Sequence, residues 1–313
     1  ADINESHIID VDDNNTTKDQ PILSFTLEAR GDSDINVDKI SVNIDVTGAT
    51  NVDDMISKIS LWHGNDQIDT VSVGTGVGAD ETYIFDNLDM DIDAGDTEDF
   101  MVKVDFKATS SALDEGDTIS AQLSDTEVDA IDAEDESGDD LSANELTGTA
   151  IGEAHAVYDN GIMVEFDSSS AIKTFIADES GENDQGTFKI NFTVSAFGDN
   201  DMRIDRSCEE GGADAAGQGV EYSITNSGSN STTCILTSSS SDSEDTTDTF
   251  EIDRGNPRSF TLTVIATASA NHFAEVALES INWGALTNDN NANYYVFNLN
   301  DYKTEPLNLI AIP

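Results

Sequence analysis

Phe25-Thr26-Leu27-Glu28-Ala29-Arg30-Gly31-Asp32-Ser33-Asp34-Ile35-Asn36-Val37-Asp38 returns 167 residues later as Phe192-Thr193-Val194-Ser195-Ala196-Phe197-Gly198-Asp199-Asn200-Asp201-Met202-Arg203-Ile204-Asp205. Seven of the fourteen positions are identical, and three more exchange one apolar residue for another. Downstream, Asp91-Ile92-Asp93-Ala94-Gly95 with Phe100 and Val104 matches Glu251-Ile252-Asp253-Arg254-Gly255 with Phe260 and Val264, displaced by 160. Two matched segments in the same order and at nearly the same spacing predict a duplicated domain. Such repetition is commoner in binding and assembly proteins than in enzymes, because one stable unit is reused for reach or polymerisation.

The periodicity around these segments is that of strands. Ile22–Leu27, Ile40–Ile44, Ile56–Leu61 and Phe100–Val104 alternate, or nearly alternate, apolar with polar residues, as do Phe188–Val194 and Phe260–Val264. No stretch keeps helical spacing over three turns. Gly, Asn and Asp clusters punctuate the strands every eight to twelve residues, the pattern of antiparallel sheets with one wet face each. The expected fold is therefore all-β: two tandem antiparallel β-sandwich domains, Ig-like or jelly-roll-like, related by internal duplication and spanning residues 1–166 and 167–313. By the first displacement His7-Ile8-Ile9 falls on Thr174-Phe175-Ile176, which predicts a strand at the N-terminus. Residues 238–248, rich in Ser and Asp, predict a loop, having too few apolar groups to offset the entropy of ordering.

Thirteen Lys plus Arg against 64 Asp plus Glu leave a formal charge of −51 on 313 residues. Such a surface repels nucleic acid, whose phosphates are held by Lys and Arg, and repels anionic membranes. Self-repulsion predicts an ionic exterior, either a halophile's solvated surface or a fold that binds cations such as calcium. No apolar run approaches the ~18 residues of a membrane span, so no membrane insertion is expected. The Ala1 start fits a secreted product released by a signal peptidase.

Cys208 and Cys234 occur in the second copy alone; their counterparts by displacement are Ser41 and Gly74. Thiols gained as a pair predict a disulfide, worth roughly 3 kcal/mol by loop closure, and an oxidising compartment. Two unrelated free thiols are the alternative. Asn4, Asn14, Asn15, Asn191 and Asn230 open Asn-x-Ser/Thr acceptors compatible with an exterior location, although so Asn- and Thr-rich a chain forms them by chance.

Catalytic signals are thin. His7, His63, His155 and His272 are far apart in sequence and none has a second metal ligand at a recognised spacing. Nucleophile-elbow, Cys-x-x-Cys and phosphate-loop patterns are missing, and Gly74-Thr75-Gly76-Val77-Gly78 predicts a hairpin loop. Trp62 and Trp283 offer a sugar platform, with core packing the competing assignment. Arg30-Gly31-Asp32 resembles an adhesion tripeptide, but the second copy places Phe197 at the arginine position, so the recurrent feature is a Gly-Asp-x-Asp turn. Asp32 with Asp34, and Asp199 with Asp201, are accordingly the candidate hard-cation ligands; local turn formation by the same aspartates is the alternative. Residues 89–95 depart from an EF-hand loop, since Gly95 is one place late and Phe100 stands where the bidentate glutamate belongs.

The turn Leu61-Trp62-His63-Gly64-Asn65 followed by a strand, Phe85-Asp86-Asn87-Leu88, Ile92-Asp93-Ala94-Gly95-Asp96-Thr97 and Phe100–Asp105 resembles the tandem immunoglobulin-like repeats of secreted bacterial and archaeal surface proteins. The resemblance covers most of the first copy and about half of the second, which departs through its cysteines and the insert at 208–219. It implies a scaffold or surface-assembly role and no catalysis. The expected function is a structural subunit of an extracellular filament or surface layer. Its partner is itself, head to tail, with the terminal strand His7-Ile8-Ile9 inserted into a neighbour's sheet. A cell-surface adhesin or carbohydrate-binding tandem module, and a secreted hydrolase, are the rivals.

Overall fold

The computed structural model describes residues 3–48, 51–109, 113–174, 183–211, 219–226, 230–285, 293–296 and 302–311. The chain divides into two units, residues 1–159 and 160–313. The expected boundary at 166/167 moves back, because the strand Gly161–Thr174 runs antiparallel along Gln185–Phe197, with Gly161 opposite Phe197 and Thr174 opposite Gln185. Residues 162–166 thus open the second unit instead of closing the first.

In the first unit a four-stranded antiparallel sheet is ordered Thr17–Glu28, Thr97–Phe106, Ile56–His63, Asp66–Ser72. The other sheet is ordered Ile8–Asp10, His155–Tyr158, Thr118–Leu123, Ile35–Thr47, Asp132–Asp135, and Asp80–Phe85 and Met90–Ile92 also pair with Ile35–Thr47. Alternation sends Phe100, Val102 and Val104 from the first sheet and Ile40, Val42 and Ile44 from the second into one shared core. Residues 74–78 do not close a hairpin: they carry the chain from Asp66–Ser72 in one sheet to Asp80–Phe85 in the other. Two single-turn helices, Val52–Met55 and Asp125–Val128, are too short to show helical periodicity in sequence.

The second unit stacks Gly161–Thr174, Gln185–Phe197, Arg258–Ala268 and Asn230–Ser238 into an antiparallel sheet. Strict alternation buries Phe188, Ile190, Phe192 and Val194 on one strand and Phe260, Leu262, Val264 and Ala266 on the next. A second sheet is ordered Cys208–Glu210, Val220–Ile224, Val276–Ala285, Met202–Asp205, Thr249–Ile252. Cys208 and Cys234 form a disulfide that staples the two sheets together.

The matched sequences occupy matching registers. Phe25 faces Phe100 and Phe192 faces Phe260 across their ladders, with rings stacked at 5.3 and 5.7 Å. Ile35 faces Ile92, and Met202 faces Ile252. Between the matched strands Gly31 and Gly198, then Gly95 and Gly255, all adopt positive φ, which an L side chain resists.

Both terminal strands are paired inside their own units, whereas the sequence leads to the expectation of an N-terminal strand inserted into a neighbour. Ile8 and Ile9 are buried, and Ile8–Asp10 lies parallel to His155–Tyr158, satisfying its backbone groups locally. Leu307–Leu309 pairs antiparallel with His272–Ala274. Phe175 and Ile176, expected to match Ile8 and Ile9, lie outside the described residues, as do 212–218 of the insert.

Candidate functional site

The turns singled out in sequence have a backbone task. Asp34 Oδ1 accepts the Ala94 N–H at 2.8 Å, and Asp201 Oδ1 accepts the Arg254 N–H at 2.7 Å. Each aspartate clamps the turn that follows the strand paired with its own. Asp199 is exposed and receives the Arg254 guanidinium at 2.8 Å, whereas Asp32 is an exposed turn residue. Asp32 and Asp34 therefore stay on an exposed turn, and Asp199 is directed towards Arg254.

Asp201 has a second set of neighbours. Met202–Asp205 pairs antiparallel with Thr249–Ile252, placing Arg203 opposite Glu251, and this pairing brings single carboxylate oxygens of Asp201, Glu251 and Asp253 within 4.8 Å of one another. Phe250 and Ile252 turn into the core, while Glu251 points the other way and is still only 3% exposed. Its backbone is fully engaged: the N–H donates to Asp245 Oδ1 and the carbonyl accepts from Arg258. Its side-chain Oε2 is buried without a hydrogen-bond partner. Desolvation, with Glu244 adding repulsion, pushes the Glu251 carboxyl up to about 7.

Behind the cluster sits Arg258, 5% exposed at an inward position of its strand. All five N–H groups are used: Nε donates to Ser238 Oγ, Nη1 to Asp245 Oδ1 and the Glu251 carbonyl, Nη2 to Asp245 Oδ2 and the Ser240 carbonyl. The bidentate guanidinium holds the Asp245 carboxyl far below the usual carboxylate range. Residues 239–248 form a loop, as their composition predicts, and this buried fork orders it where apolar burial could not.

The remaining sequence candidates separate. Trp283 is a core residue at 2% exposure, and half-buried Trp62 has Lys103 Nζ over its ring, 3.8 Å from the centre. His7 and His155, far apart in sequence, come into ring contact at 4.2 Å because their strands pair. His155 Nε2 donates to the Ile22 carbonyl at 3.0 Å, and burial lowers its pKa to about 4. Among the acceptor asparagines, Asn4 exchanges side-chain hydrogen bonds with the Ser24 backbone, Asn191 with Ser168 and Thr261, and Asn230 Nδ2 donates to the Asn226 carbonyl. Asn14 and Asn15 lie in an exposed loop. A shallow cavity of about 460 Å³, lined by Arg206, Leu236, Ser238, Asp242, Asp245 and Phe250 among others, excludes the three clustered carboxylates.

Glu251 and Asp253 are legible in sequence as part of the second matched segment, and Asp201 as part of the first. What joins them is the ladder between the two segments. Three oxygen donors with no nitrogen or sulfur suit a hard cation.

The sequence matches no protein-family model and no curated protein. Among solved structures, the C-terminal domain of the Streptococcus pyogenes antigen I/II-family protein AspA aligns at 11% identity and a TM-score of 0.24, over 98% of this chain and 94% of that one. A structure described as BspA_C_mut aligns at 8% identity and a TM-score of 0.22, over 99% and 95% of the two chains. At such scores the architecture rests on the strand pairing above and not on the alignments.

Proposed function

We propose that this chain is a structural subunit of an extracellular filament or surface layer, built from two duplicated sandwich units. The observation that carries the reading is a sheet-edge strand without charge or proline of its own. Each of the two four-stranded sheets has two edge strands. Thr17–Glu28 carries Lys18, Asp19, Pro21 and Glu28; Asp66–Ser72 carries Asp66 and Asp69; Gly161–Thr174 carries Glu165, Asp167 and Lys173. Asn230–Ser238 reads Asn-Ser-Thr-Thr-Cys-Ile-Leu-Thr-Ser, without a charge or proline, and leaves Ile235 58% exposed. Charge and proline are the usual protections of a free edge. On a chain of net charge −51 their omission over nine residues favours pairing with another copy.

The inter-sheet disulfide and the strongly acidic composition support an exterior setting. The test is light scattering and negative-stain microscopy of the intact chain in ~1 M salt, where the Debye length is only about 3 Å. Polymers are expected, and Thr233→Lys with Ile235→Lys should abolish them. A chain that stays monomeric at every salt concentration, or a double variant that polymerises unchanged, rules the reading out.

A further inference from the structure

We propose that Asp201, Glu251 and Asp253 bind a calcium ion that locks the second unit, and that the first unit has no equivalent site. Such a site would operate whether or not the chain self-assembles.

Clustered carboxylates are common on so acidic a chain and do not by themselves make a site. Glu251 is different. A carboxylate at 3% exposure with an oxygen lacking any hydrogen-bond donor is costly to bury, and proteins retain such a group where a counter-ion meets it. Arg203 faces Glu251 across the ladder and its positive charge offsets part of the burial cost, yet Glu251 Oε2 accepts no hydrogen bond and Arg203 Nε donates none. The Glu251 backbone is pinned by Asp245 and Arg258 on its two polar groups, and Asp201 is fixed by its bond to the Arg254 N–H. Two of the three ligands are thus held in place from behind.

The first unit supplies an internal comparison at the same registers. Asp34, Asp91 and Asp93 stand where Asp201, Glu251 and Asp253 stand, but all three are exposed. Asn36, at the position of Arg203, donates to Asp91 Oδ1 at 2.9 Å. There the longer glutamate is replaced by an aspartate whose charge is already met by water and an amide, and nothing is left for an ion to repair.

Calcium fits better than magnesium or a transition metal. The donors are all carboxylate oxygens, a glutamate can bind through both oxygens, and the two half-exposed aspartates leave room for water to complete the six to eight ligands calcium takes. Three protein ligands with an arginine nearby place the site in the extracellular affinity class, with Kd about 10⁻⁴–10⁻³ M.

The experiment is a thermal melt of the whole chain, stripped with chelator and then titrated with calcium chloride against sodium chloride of equal ionic strength. At 10 mM calcium the transition of the second unit should rise by ~4–8 °C beyond the sodium control. Glu251→Gln should melt higher than the parent in chelator, because it removes a buried negative charge whose Oε2 has no hydrogen-bond donor, and should lose the calcium response. Asp253→Asn, at a half-exposed position, should weaken the response at least tenfold, and Asp91→Asn should leave it unchanged. Equal calcium and sodium responses, or a calcium response that survives in Glu251→Gln and Asp253→Asn, overturn the site.

Discussion

At the scale of single residues, the least exposed histidine among the described residues is His155, whose ring is held by the Ile22 carbonyl and packed on His7. A base whose folded pKa is about 4 against an ordinary 6.5 binds fewer protons in the native than in the unfolded state between those values. Its contribution is therefore intact above pH 6.5, declines as pH falls through the window, and is lost below 4, a total of ~3 kcal/mol. Carboxylates titrate over the same range, so the measurement is a comparison: urea unfolding at pH 7.5 and 4.5 for the parent and for His155→Gln, whose amide can keep the bond to Ile22. The variant should lose about 2–3 kcal/mol less on acidification. Equal losses would mean that the imidazole is not the group responsible.

At the scale of elements, the strand Cys208–Glu210 is only three residues long and lies at the rim of its sheet, so its attachment relies on the disulfide to Asn230–Ser238. The bond closes a 26-residue separation, worth about 3–4 kcal/mol in the loop-closure account. Replacing both cysteines with serine should lower the melting temperature of the second unit by ~7–14 °C and leave the first unit's transition in place, which calorimetry of the whole chain can resolve. A shift shared by both transitions would show that the units do not unfold separately. Local pattern reaches some elements and misses others. Phe188–Val194 and Phe260–Val264 are plain from alternation alone, because a strand with one wet face prints its period of two into the sequence. Residues 74–78 resemble a hairpin because a glycine-rich turn between two strands is the same locally whether the chain turns back or crosses to the other sheet.

At the scale of the whole molecule, 64 acidic residues against 13 basic ones govern the electrostatics. Several of those few cations are committed to structure, Arg258 and Arg206 to Asp245 and Lys58 to Asp105. The remaining negative charge must be screened. Raising sodium chloride from 10 mM, with a Debye length of ~30 Å, to 1 M, with ~3 Å, should raise both unfolding transitions continuously. A melting temperature indifferent to salt would mean that the acidic surface is spaced widely enough to cost nothing.

Everything carried by local pattern and composition is legible in the linear chain: strands, two units, the recurrent turns with their left-handed glycines, the acidic surface and the paired cysteines of the second unit. Which distant residues meet is settled in three dimensions alone. The parallel pairing of Ile8–Asp10 with His155–Tyr158 consumes both the terminal strand and two histidines that lie far apart in sequence. The ladder between Met202–Asp205 and Thr249–Ile252 draws Asp201 away from its sequence neighbour Asp199 and joins it to Glu251 and Asp253. The physical reason is the same in both cases. Alternation and turn chemistry act over a few residues, whereas cross-strand register is set by which apolar faces can be buried together, and that choice is made between segments about fifty to a hundred and fifty residues apart.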